Sequence, residues 1–324
     1  MNGGELKIEI FAPFGAAFEL TKKILFQPFD LGKWCVIGFA AFLANLSGGW
    51  SFNYNLNWNR DARWQYWSGT GDLSAPLHQI PLWAIVLTAI VAVLLVVGIF
   101  MTLAWLSARG RFIFIDCIVR NRGAIAAPWR EFRKEGNSLF LFSLLIGLVF
   151  VAVALFMFVP ILLPRLVHWK PSQTRLVVTI SGFVFIILII FLLGLAWALI
   201  SHFMVPIMYR HRCRAREAFV AVASVIATYP GEIVLYCLFL LVLVLAAAIV
   251  SCASMCLTCC ITAIPYVGTV ILLPIFVLLR SFSLLFLRQF GSDYDAWEEI
   301  SLIEPLSISP PAPPIPPSVP PLPT

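Results

Sequence analysis

The chain is poor in charge. Only 12% of its 324 residues are Asp, Glu, Lys or Arg, where a soluble domain carries about 25%, so an ordinary solvated surface is excluded. Acidic residues are the scarcer sign, sixteen against twenty-two basic, and every one falls outside the centres of the apolar runs described below. No carboxylate pair is therefore placed for acid–base work at depth, and no HExxH, GxSxG or Walker A pattern occurs. Histidine is limited to four residues. The chain thus names no catalytic residue, no cofactor and no metal-ligand set, and it reads as a non-enzyme. A cleavable secretory leader is not expected either, because residues 1–33 mix Lys7, Lys22, Lys23 and Lys33 with Glu5, Glu9, Glu19 and Asp30.

What the chain has in excess is apolar surface, with 61% hydrophobic residues and a mean hydropathy of +0.94. An ionised side chain costs about 2.5–3.5 kcal/mol at a helix centre in a bilayer, and one span needs about 20 apolar residues. Five charge-free windows qualify, at 34–59, 73–106, 136–164, 176–209 and 233–279. The last is about twice one span in length and is punctuated by Pro265, Tyr266 and Gly268, so it reads as a helical hairpin. The expected fold is therefore an all-α, polytopic transmembrane helix bundle of about six spans, near 34–52, 80–106, 138–163, 177–208, 233–259 and 266–288. The first is the weakest, since Asn45 and the Ser47-Gly48-Gly49 break shorten it; a re-entrant or interfacial segment is the alternative.

Three domains of organisation follow: an amphipathic N-terminal segment at 1–33, a six-span membrane domain at 34–290, and a tail at 291–324 that is Pro-rich from 305. Orientation follows from Lys and Arg, which are retained on the cytoplasmic side. Seventeen lie in the N-terminus, the second and fourth loops and the C-terminal part, against five in the first, third and fifth loops. Both termini are expected to be cytoplasmic. The excess of positive charge also points to anionic lipid headgroups as partners, with no nucleic acid required.

Three segments share a plan in which a short amphipathic stretch precedes a Pro or Gly break and then an apolar run. They begin at Ala17-Phe18, Ala127-Pro128-Trp129 and Ala218-Phe219, with breaks at Pro28 to Gly32, Gly136 and Pro230-Gly231. This suggests three repeated units of interfacial helix plus membrane hairpin. Ordinary juxtamembrane helices in unrelated loops would give the same pattern.

Cys252, Cys256 and Cys259 reproduce the CxxxCxxC spacing of radical S-adenosylmethionine enzymes. That motif belongs in a soluble barrel loop, whereas here it lies in an apolar helix. Cys252, Cys256, Cys259 and Cys260 share one helical face and are read as small residues packing on a neighbouring helix, with a disulfide or metal site as the alternative.

Three polar residues in or beside the spans are the candidate functional residues, because polar groups at depth are costly. Arg280 is the one strongly ionised residue within an expected span. Snorkelling to the headgroups and a bundle-facing guanidinium that binds an anionic group are its two readings. His202 lies near the cytoplasmic end of the fourth span, as a hydrogen-bonded or interfacial residue rather than a ligand. Asn45 closes the weak first span. Residues 305–324 favour an extended polyproline tail, which either docks to a cytosolic partner or, lacking a basic flank, stays unbound and disordered; the second is the expectation.

The runs Phe26-Gln27-Pro28-Phe29-Asp30-Leu31-Gly32-Lys33-Trp34 and Leu279-Arg280-Ser281-Phe282 through Phe286-Leu287-Arg288-Gln289-Phe290-Gly291, with the hairpin plan, resemble uncharacterised bacterial multi-spanning membrane proteins. They are loosely similar to the membrane domain that accompanies some glycerophosphodiester phosphodiesterases. The phosphodiesterase domain itself is absent, so that activity is not implied. The expected role is scaffolding, assembly or regulation at a bacterial inner membrane, with a small-molecule or lipid transporter component as the alternative. A central cavity with converging polar groups would separate the two.

Overall fold

The computed structural model describes residues 9, 11–46, 81–166, 173–258 and 264–298. Among them the chain forms ten α-helices and one short 3₁₀ turn, with no strand, so the all-α expectation holds. Residues 47–80, which hold the Ser47-Gly48-Gly49 break, and Cys259, Cys260 and the Pro-rich tail lie outside the described residues.

The helices fall into three successive groups. The first comprises α1 (Phe11–Phe26), α2 (Leu31–Asn45) and α3 (Leu82–Val119). In the second are α4 (Ala126–Glu131), α5 (Arg133–Leu166) and α6 (Gln173–His211). The third holds α7 (Ala215–Thr228), α8 (Pro230–Leu257), α9 (Pro265–Ile271) and α10 (Leu273–Arg288). Each group is a short helix, a break and then apolar helices, two in the first and second groups and three in the third, where the second member of the hairpin is split in two. The breaks have local causes. Asp30 caps α2 by accepting from the Gly32 and Lys33 amides at 2.8 and 3.3 Å, and the Gln27–Pro28 peptide before it is cis. Pro230 opens α8 at a position where a missing N–H costs nothing. In the second group the break falls at Phe132, not at Gly136, which lies inside α5. Gly136 is needed for another reason: a Cβ there would stand 2.9 Å from Cγ of Arg109.

Packing turns this serial plan into a cycle. The short helix of each group docks on the second apolar helix of the group before it: α4 on α3, α7 on α6, and α1 on α10, which closes the ring. Those three acceptor helices, α3, α6 and α10, also touch one another pairwise, so they form the centre of the molecule. α2 lies tightly on α3, where Ser107 Oγ donates to the Ala44 carbonyl at 2.9 Å and a Cβ on Gly110 would come within 2.6 Å of Leu43.

The core lies at one end of the bundle. Phe112, Ile113, Ile115, Phe203, Met204, Phe282 and Phe286 are all buried there. The other ends are bare apolar rods, with Leu94 65%, Val184 59% and Leu241 64% exposed. Among the described residues three helices, Trp83–Val119, Arg133–Val153 and Pro230–Leu257, are long and apolar enough to cross a membrane. Leu31–Asn45 and Ser181–Ile190 are shorter apolar stretches. The 38 residues of α3 extend about 57 Å at 1.5 Å per residue, against about 30 Å of hydrocarbon. Its packed end therefore reaches past the lipid tails into the headgroup layer and beyond. Arg109 and Arg111, which charge counting assigns to a loop, are residues of this extended helix. The sixth expected span is broken in two at Leu272, where Pro274 starts α10 afresh.

α1 is not a free amphipathic segment. Ala17 and Ile24 are buried against the body of the protein, and Phe14 meets Phe239 and Phe282 edge-on at 5.6 and 6.4 Å. Cys252 and Cys256, expected to pack on a neighbouring helix, are exposed instead.

Candidate functional site

Where α6, α8 and α10 meet, four polar side chains form one chain of hydrogen bonds. Arg280 Nη1 donates to His202 Nδ1 at 3.1 Å and to the His202 carbonyl at 3.2 Å. His202 Nε2 lies 2.6 Å from Ser283 Oγ, and Tyr236 Oη lies 2.8 Å from the same oxygen. Ser283 Oγ donates to the Leu279 carbonyl at 3.0 Å. The proton positions follow by elimination. A guanidinium only donates, so His202 Nδ1 accepts and its Nε2 carries the proton. Ser283 has spent its one proton on Leu279, so it accepts from both His202 and Tyr236. The ring is thus a neutral Nε2–H tautomer that braces Arg280. Tyr236 is itself locked between Phe282 and Phe286, stacked on them at centroid distances of 5.4 and 4.4 Å.

Arg280 is 9% exposed, so it faces the bundle and does not snorkel. Its Nη2 is buried without a hydrogen-bond partner. Arg111, on α3, is close enough for its charge to act on both His202 and Arg280, and it is partly exposed. It has neither a hydrogen bond nor an ion pair with any described residue. The structure therefore brings Arg280 and His202 together, as two of the three residues singled out from sequence. The third, Asn45, stands apart at the end of α2 and donates to the Ala41 carbonyl of its own helix at 2.8 Å.

Closer to the polar end, the basic residues do have acids. The Asp116 carboxylate is fully buried; it accepts from Arg122 at 3.0 Å and from Tyr209 Oη at 3.1 Å, and it forms an ion pair with Arg120 Nε at 3.2 Å. Arg120 also reaches Glu131 at 3.1 Å, and Arg212 pairs with the same carboxylate. Arg210 binds Glu298 at 2.5 Å, and Arg288 binds Asp295 at 2.8 Å. Burial alone would raise the Glu131 carboxyl, but hydrogen bonds from Arg212 and Arg120 and their charges outweigh it and hold the group below its ordinary value. Arg109 is set against Trp105 and Trp129, with its guanidinium carbon 4.2 and 4.9 Å from the ring centres, and donates to Asn137 Oδ1 at 2.9 Å. Two indoles around a cation are at home in the headgroup layer.

Arg111, Ser283 and Tyr236 were not evident from residue type alone. A signal was present for the first. Arg111 precedes Phe112 and stands about two and a half turns before Arg120; His202 precedes Phe203 and stands about two turns before Arg210; Arg280 stands about two turns before Arg288, with Phe282 in the next positions. The triplicated unit carries an inner base, a phenylalanine and an outer arginine.

Among the described residues no group of three or more His, Cys, Asp or Glu is placed to hold a metal ion. No curated protein and no solved structure matches the chain. The resemblance to an uncharacterised family is met, while nothing supports the likeness to glycerophosphodiester phosphodiesterases. A model of a family of unknown function covers residues 9–291, so the chain belongs to that family, DUF7544.

Proposed function

We propose that the protein is a membrane component that takes hold of an anionic solute or lipid, as part of small-molecule or lipid transport. The single observation that carries this reading is the convergence of Arg280, His202, Ser283 and Tyr236 from three helices at the bundle centre. A scaffold has no use for a desolvated guanidinium at its middle, because burying an ion is costly and an apolar residue of similar size would pack as well or better. Polar groups held at depth in a membrane protein are usually kept for a ligand or a transported species.

The setting proposed is the bacterial inner membrane, with the packed, arginine-rich end in the cytoplasm. The charge distribution supports that orientation, and the bare apolar rods supply the lipid-facing part. Anionic headgroups at the basic end are the expected partners.

Transport is tested with the purified full chain in liposomes, using uptake of radiolabelled inorganic phosphate and leaflet equilibration of fluorescently labelled phosphatidylglycerol as two separate probes. Movement of either that is lost in Arg280→Gln supports the proposal. If neither moves, scaffolding or regulation becomes the better reading.

A further inference from the structure

We infer that Arg111, His202 and Arg280 form one binding site for a phosphate-type oxyanion on the axis of the threefold arrangement. This rests on reading the centre as a ligand site and adds to it the class of ligand.

The argument starts from the triplicated layout. Each central helix contributes one inner base: Arg111 from α3, His202 from α6 and Arg280 from α10. Each helix also carries an outer arginine about two turns away, near its C-terminal end, so each inner residue lies about 12–14 Å from its own outer arginine. All three outer arginines have carboxylates: Arg120 binds Asp116 and Glu131, Arg210 binds Glu298, and Arg288 binds Asp295. Among the described residues none of the inner three has one. Acid is supplied to one layer and withheld from the next, although the same helices build both.

His202 is neutral, so the like charges are the guanidiniums of Arg111 and Arg280, and such a pair without a counterion is unstable unless something anionic joins it. Donors are left over for such an anion. Arg280 is pinned from behind, its Nη1 given to the His202 ring and carbonyl, while the buried Nη2 has no partner. Arg111 has its full set of donors free of hydrogen bonds to described residues. His202 already gives its one proton to Ser283, so it acts as a positioning residue that orients Arg280. Two guanidiniums on different helices suit a tetrahedral anion, whose oxygens point in several directions, better than a carboxylate, which a single guanidinium saturates in one plane.

The level of the site fits the same chemistry. Arg111 lies about half a turn from Arg109, whose Trp105 and Trp129 cage marks the headgroup layer, and the walls toward the other end of the bundle are apolar. A phospholipid headgroup and a free phosphate share the ligand chemistry, and the experiment separates them.

The full chain, purified in a zwitterionic detergent, is followed by thermal unfolding with sodium phosphate, with sodium acetate at equal ionic strength, and in nanodiscs of phosphatidylcholine with or without phosphatidic acid. Wild type and Arg216→Gln, which removes an exposed arginine, are expected to be stabilised by phosphate or by phosphatidic acid and not by acetate. Arg111→Gln strands no partner, so it is expected to fold, with its apparent affinity weakened by about tenfold or more; His202→Gln is expected to weaken binding less than Arg280→Gln does. Protection by phosphatidic acid alone assigns the lipid as source, and protection by phosphate alone assigns the free ion. Equal protection by acetate, lost in Arg111→Gln, would overturn the ligand class and leave the ligand centre standing. Protection unchanged in Arg111→Gln and Arg280→Gln, or none from any anion, would overturn the site itself.

Discussion

His202 Nδ1 receives a hydrogen bond from Arg280 Nη1 at 3.1 Å, and that one contact decides the protonation of everything behind it. A doubly protonated ring would turn an N–H toward the guanidinium and break the brace. The neutral ring leaves Nε2–H to find Ser283, and Ser283 to serve as double acceptor for His202 and Tyr236. The centre is therefore a directional relay in which each proton has one place.

Ser283→Ala tests that relay. It removes the acceptor of two buried donors at once, and each stranded donor costs about 1–3 kcal/mol, so the melting temperature in detergent should fall clearly. Adding Tyr236→Phe removes one of the stranded donors and should recover part of the loss. A double variant no more stable than Ser283→Ala would mean that Tyr236 does not give its proton to Ser283.

The contact between α2 and α3 is tested at Gly110. A Cβ placed there would come within 2.6 Å of Leu43 and 2.7 Å of the Ala44 amide, backbone that cannot step aside as a side chain can. Gly110→Ala should cost about 1–3 kcal/mol as overpacking, despite the gain in helix propensity. Gly98→Ala, which meets nothing within 4 Å, is the matched control and should be neutral or slightly stabilising. Equal melting temperatures for the two variants would show that α2 does not lie against α3 at this spacing.

Much of this architecture was legible in the residues, and the exceptions have physical causes. Apolar windows located the long helices because lipid imposes one solvent on every side chain, and the repeat was readable from Pro28, Pro230 and the short stretches before them. Charge counting misplaced Arg109 and Arg111, because it treats an arginine as the end of a span. An α-helix continues past the hydrocarbon when tertiary partners accept its polar residues: the Trp105 and Trp129 rings hold Arg109, and Asp116 is satisfied inside the packed end by Arg120, Arg122 and Tyr209. Arg280 and His202 were visible as costly polar groups, but their pairing was not, since it depends on α6 and α10 meeting at one depth. Asn45 stood out for the same reason of cost and proved to bond its own helix at Ala41, a local solution that composition does not reveal.

Orientation is tested by labelling. Cys213 is a poor reporter, because burial pushes its thiol up and slows it toward any thiol reagent. Ala127 is exposed at the basic end. In intact cells Ala127→Cys should resist a membrane-impermeant maleimide and react once the cells are permeabilised, while Ser68→Cys, between α2 and α3 in the sequence, should react without permeabilisation; the parent chain is labelled in parallel to subtract its own cysteines. Labelling of Ala127→Cys in intact cells would reverse the proposed sidedness.

Glu131 gives the pH dependence of the polar end. It lies at the end of α4 and joins Arg120, at the end of α3, to Arg212, in the turn after α6, so it ties all three elements together. Its carboxyl is held below its ordinary value by those two arginines against the opposing effect of burial. A depressed value in the folded state contributes stability that is present above the unfolded value, near 4.5, and is lost as pH falls through the folded one. Because the group is about one-third exposed and screened by solvent, the contribution is small, about 0.2–1 kcal/mol for such a pair. Glu131→Gln should therefore melt slightly below wild type at pH 7, by an amount that shrinks in high salt. Below pH 4.5 the gap should narrow, since protonation makes the wild-type group resemble the amide. Arg216→Gln, which touches no part of this link, should show no such convergence. A gap between Glu131→Gln and wild type that stays constant from pH 7 to about pH 3.5 would mean that the Arg120–Glu131–Arg212 link contributes through shape and not through charge.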